Sequence, residues 1–117
     1  MKYRTLVFIY YRTREVDDMK VAYPVIFTDM DTNILIEVPD LGILTEANEE
    51  GKTKGTIADA IMMARDAIGI SCIEAEDRGD EVPISSDMAQ IDITRGTFYE
   101  DGKSVLSLVD VDLAAYR

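Results

Sequence analysis

The chain has 117 residues, 47% of them apolar, and 23 Asp and Glu stand against 12 Lys and Arg for a formal net charge of −11. That length makes one domain with a core of its own, the near-zero mean hydropathy excludes a disordered chain, and the acidity speaks against direct nucleic-acid binding while favouring a basic protein partner. With Cys72 as the one cysteine and no histidine, an internal disulfide, a CxxC zinc site, a catalytic triad and a His–metal site are excluded, so any catalysis would fall to carboxylates.

Residues 1–18, MKYRTLVFIYYRTREVDD, read as an N-terminal extension, with a second plausible start at Met19. Their apolar run, Leu6 to Tyr11, is far shorter than the roughly 20 residues that a membrane span needs, and no small-residue cleavage site follows. The run suits an edge strand, and two readings of the segment stay open: an N-terminal extension, or upstream read-through. No membrane is implied, and a reducing cytoplasm suits the lone cysteine.

From Lys20 to Phe27 alternation puts Val21, Tyr23, Val25 and Phe27 on one face of a strand, and Pro24, which lacks an amide donor, predicts a sheet edge or bulge. After the polar turn TDMDTN, Ile34, Ile36 and Val38 share a face of a second strand that Pro39 ends. Leu41 to Ala47 reads as a third strand and Glu49 to Gly55 as a polar loop. Thr56 with Asp59 three residues on resembles a capped helix start, and Ile57, Ala60, Ile61, Ala64, Ala67 and Ile68 form its inward stripe. Gly69 weakens the continuation by about 1 kcal/mol relative to Ala, predicting a last bent turn or two over Ile70 to Ala75.

Beyond the helix, Glu76 to Glu81 reads as a charged loop and VPISS as extended chain. Ser85 or Ser86 is expected to cap a short turn up to Ile91, and Thr94 to Lys103 is a loop turning at Asp101-Gly102. The run from Val105 to Asp112 is a strand apolar on both faces at its start, which predicts a central position. Asp112 caps the closing LAAYR turn.

Together YPVIF, EVPDL, TIADAIMMARDAIG, VPISS and SVLSLVDVDLAAYR resemble the HicB-type antitoxins of HicA–HicB toxin–antitoxin pairs, from about Met19 onward. The resemblance implies an α+β fold of partial ribonuclease H type: a three-to-four-stranded, mostly antiparallel sheet covered by one main helix, in the order β-β-β-α-β. It implies as partner a small basic toxin that cleaves mRNA with a histidine, and no cofactor. Relatives often carry a DNA-binding segment after this domain; this sequence stops at Arg117, and its loop from Glu46 to Gly55 is longer than the family pattern.

No catalytic or metal-binding residue is expected. Asp110 and Asp112, two apart on one strand, are the only start of a metal pair, and the simpler reading makes Asp112 a cap and Asp110 solvated. The alternatives to an antitoxin are a residual metal-dependent nuclease and an orphan oligomerising domain. Asp29, Asp31 and Asp40 read as turn formers, Cys72 as a buried apolar residue, and Met62 and Met63 more readily as core fillers than as partner surface. The candidate toxin-binding residues are two acidic clusters flanking the helix: Glu46, Glu49 and Glu50, then Glu74, Glu76, Asp77, Asp80 and Glu81. An edge strand also makes a homo-oligomer plausible.

Overall fold

The protein is described from a computed structural model covering residues 20–49 and 53–117. The segment read as an extension, with its edge strand, lies outside the described residues. Four strands, β1 (Lys20–Asp29), β2 (Ile34–Val38), β3 (Ile43–Glu49) and β5 (Lys103–Asp112), form an antiparallel sheet. A two-residue β4 (Thr53–Lys54) extends it beside β3, giving the order β4-β3-β2-β1-β5. One long helix, α1 (Ile57–Asp77), lies across one face. This is the α+β arrangement expected, resembling a partial ribonuclease H topology.

Period-two alternation and register explain the core. Phe27 stands opposite Ile36 and Val105, Ile34 opposite Ala47, and Tyr23 opposite Val109, so one face carries Tyr23, Val25, Phe27, Ile34, Ile36 and Val38 into a cluster with Ala60, Ala64, Ile68 and Cys72 of α1. Full burial of a side chain such as Ile36 or Ile68 contributes about 1.5–3 kcal/mol. Small residues at every fourth position, Ala60 and Ala64 before Ile68 and Cys72, let the helix approach the sheet closely.

Several expectations are corrected. Among the described strands β1 is interior, and β5, expected at the centre, lies at the edge. The proline argument holds in a narrower form, because β1 pairs with β2 only from Ile26 to Asp29, leaving Pro24 outside that ladder. The sheet face opposite α1 is not open: residues 88–102 fold over it. Their 3-10 turns at Met88–Gln90, Ile93–Arg95 and Tyr99–Asp101 bury Ile26 and Thr28 on the side that a two-layer fold would leave wet. The Thr97 amide and hydroxyl both donate to the Glu37 carboxylate at 2.9 Å, and Thr28 shares a 2.7 Å hydrogen bond with Ser104.

The helix begins as expected: the Asp59 amide donates to the Thr56 hydroxyl and the Thr56 amide to the Asp59 carboxylate, a reciprocal capping box. The Thr56 amide first, and then the Thr56 hydroxyl, donate to the Asp59 carboxylate and hold it below the usual carboxylate range. At the other end the last turns expected over Ile70 to Ala75 belong to one continuous helix. α1 runs through Gly69 to Asp77, and the Tyr116 ring lies on Gly69, where a Cβ would come within 2.6 Å of it. The polar loop before the helix contains β4, pairing Lys54 with Asn48. Asp87, not Ser85 or Ser86, caps the Met88–Gln90 turn, its carboxylate accepting from the Ala89 amide at 3.1 Å.

Asp40 does more than form a turn. Its carboxylate accepts from the Ser86 amide and hydroxyl, both at 2.7 Å, so the PDL and VPISS stretches are bound to one another. Next to this link, the buried Tyr23 hydroxyl donates to the Pro83 carbonyl and lies 4.0 Å from Cys72 Sγ. Burial pushes both the Tyr23 phenol and the Cys72 thiol up.

Candidate partner-binding surface

The two acidic clusters do not form one patch. Glu46 pairs across from Leu35, and since their neighbours Ala47 and Ile34 face the helix, alternation turns Glu46 to the opposite side of the sheet, where Asn33 donates to its carboxylate. Glu49 ends β3, and Glu50 lies outside the described residues. Glu46 and Glu49 sit at the end of the sheet where α1 begins, with the Gly55 amide on the Ala47 carbonyl. The second group lies at the far end of a 21-residue helix, a length of about 30 Å.

Glu74, Glu76, Asp77, Asp80 and Glu81 are all exposed and gathered around the helix C-terminus. The chain leaves there through Gly79, whose φ of 76° is left-handed backbone suited to glycine, while the Asp80 amide returns to the Ala75 carbonyl at 2.8 Å. A helix C-terminus carries partial negative charge and is stabilised by cations, yet no basic residue occupies the last turn. Arg78 pairs with Asp80 at 3.0 Å and Arg117 with Glu76 at 2.6 Å. Glu74, Asp77 and Glu81 add charge where the helix itself disfavours it.

The carboxylates considered for metal chemistry are otherwise engaged. Asp112 accepts from the Ala114 amide at 3.0 Å as the cap of the closing turn, and Asp110 is 3.2 Å from the Arg65 guanidinium. Among the described residues no group of three or more His, Cys, Asp or Glu is placed to hold a metal ion. Arg65 Nε also donates to the Asp110 carbonyl at 2.9 Å, taking up an acceptor on the edge strand. No helix among the described residues is long and apolar enough to cross a membrane.

Sequence reasoning missed the exposed apolar side chains. Met62 is 62% exposed, Met63 41% and Ile70 52%, so the two methionines are not core fillers. Ile57, assigned to the inward stripe, is half exposed where it lines a cleft with Phe27, Ile34 and Val105, rimmed by Lys54 and Lys103. Val105 and Leu108 on β5, Leu44 on β3 and Ile84 after the helix are exposed as well. One signal for the helical set was present in the sequence: Met63 and Ile70 are seven residues apart and fall opposite Ala60, Ala64 and Ile68 at 3.6 residues per turn.

No protein-family model matches the chain, and no curated protein matches it by sequence. Among solved structures, a chain of a toxin–antitoxin complex from Streptococcus pneumoniae superposes with a TM-score of 0.67 at 23% identity, over 84% of this chain and 73% of that one. A chain of the HicA3 and HicB3 toxin–antitoxin complex superposes with a TM-score of 0.57 at 18% identity, over 79% of this chain and 99% of that one. The fold is therefore one that solved toxin–antitoxin complexes contain. At these identities the likeness is one of fold, and it agrees with the fold that the motif resemblance implied.

Proposed function

We propose that this chain is an antitoxin that binds a small basic HicA-type mRNA-cleaving toxin and silences it by occlusion. The observation that carries the reading is the fold shared with chains of two toxin–antitoxin complexes. Net charge and helix polarity support it. A protein that grips RNA presents a cationic surface, and a chain of charge −11 steers towards such a surface over long range. The group Glu74, Glu76, Asp77, Asp80 and Glu81 supplies a local target, since an arriving cation relieves both carboxylate repulsion and the unfavourable interaction with the helix end. Glu46 and Glu49, at the other end, contribute through the long-range field, as does the charge of Glu50.

The test mixes the purified chain with the small basic protein encoded beside its gene and measures complex formation and RNA degradation. A complex that protects RNA is the expected result; RNA degraded at the same rate, with no complex, refutes the reading. Reversing Glu74, Asp77 and Glu81 to lysine is expected to slow association about tenfold or more at low salt and to flatten its salt dependence. An unchanged rate at low salt rules out the cluster as a steering site.

A further inference from the structure

We infer that the outer face of α1 is the surface on which the cationic partner docks, with Met63 and Ile70 as its apolar centre. The inference rests on the antitoxin reading and identifies where that partner sits.

The helix has two faces of different character. Inward, Ala60, Ala64, Ile68 and Cys72 are fully buried against the sheet. Directly opposite, Asp59, Met63, Asp66 and Ile70 recur every three or four residues and Asp77 follows seven residues on, with Met62 and Glu74 on the flanks. A helix face that meets only water is normally polar throughout. Single exposed apolar residues are ordinary, but Met62, Met63 and Ile70 lie within nine residues of one helix and all are more than 40% exposed. The two methionines are unbranched and polarizable, able to fit an uneven opposing surface.

Charge decides what covers them. All four ionised residues on this face and its flanks, Asp59, Asp66, Glu74 and Asp77, are acidic. Arg65 is the one basic residue of α1, and its guanidinium is drawn to Asp110 on the edge strand. Asp66 is fixed in place by the Tyr116 hydroxyl, which donates to it at 2.6 Å, and that bond raises the Tyr116 phenol. A second copy of this chain docking through the same face would bring two sets of carboxylates together. A phosphate-bearing surface, lipid or nucleic acid, would be repelled in the same way. A basic protein surface satisfies both features: arginine and lysine stems pack over Met63 and Ile70 while their charged ends reach Asp59, Asp66 and Glu74. The stripe runs on into the C-terminal acidic group, so steering charge and apolar anchor form one continuous surface.

The experiment uses the full chain and the small basic protein of the neighbouring reading frame, its histidines replaced by alanine, with affinity read by titration calorimetry. Met63→Ser with Ile70→Ser, which leaves every charge in place, is expected to weaken binding at least tenfold, and to do so at high salt as well as low. Val105→Ser with Leu108→Ser removes equally exposed apolar groups from β5 and is expected to leave affinity within twofold. Circular dichroism verifies that both variants are folded. If the unsubstituted chain binds and the helix variant binds equally well, this surface is wrong while the antitoxin reading stands. If the unsubstituted chain forms no complex, the antitoxin reading fails and this surface with it.

Discussion

Gly69→Ala is the substitution on which the account of α1 is most exposed. In an isolated helix the change favours folding by about 1 kcal/mol, because alanine loses less backbone freedom than glycine. Here the added Cβ would meet the Tyr116 ring at 2.6–2.7 Å, closer than any carbon contact tolerates. The ring is the far part of a side chain in the closing turn, so it moves and the helix stays. Moving it gives up part of a half-buried aromatic, about 1–2 kcal/mol, and the 2.6 Å hydrogen bond to Asp66, about 1 kcal/mol more. The net expectation is a loss of about 1–2 kcal/mol in urea denaturation. In a Tyr116→Ala background the clash is gone and the same substitution should raise stability by about 1 kcal/mol. A reversal of sign between the two backgrounds is the signature. If Gly69→Ala stabilises the otherwise unchanged chain, the ring does not rest on the helix and the explanation of the glycine is wrong.

Two further perturbations address the links that hold the layers together. Asp40→Ala removes both 2.7 Å bonds from Ser86 and should cost about 2 kcal/mol; Ser86→Ala added to it should cost little more, and a fully additive double variant would show that the two residues do not act as a pair. Asp59 is held below its ordinary pKa by the Thr56 bonds, so the folded protein binds this proton less readily than the unfolded chain. Its contribution is complete above the ordinary Asp value of about 3.9 and disappears as pH falls through the lower folded value. Asp59→Asn should therefore flatten the acid limb of the stability–pH curve, and an identical slope in both proteins counts against the capping account.

Much of this architecture was legible in the sequence because it depends on neighbours in the chain. Alternation in YPVIF and ILIEV placed Tyr23, Val25, Phe27, Ile34, Ile36 and Val38 on the buried face, and Thr56 with Asp59 marked where the helix starts. Composition set the sign of the surface charge. What only the tertiary structure decided was what lies against each face. Glycine stands at position 69, inside the helix, because Tyr116, 47 positions away, occupies the space a side chain would need. The sheet face opposite α1 is covered by residues 88–102, β5 lies at the edge of the described strands, and Glu46 and Glu49 stand at the other end of α1 from the second acidic cluster. Met62, Met63 and Ile70 obey the helical period whichever way the helix is turned. Periodicity identifies which residues share a face, and only packing determines which face is left for a partner.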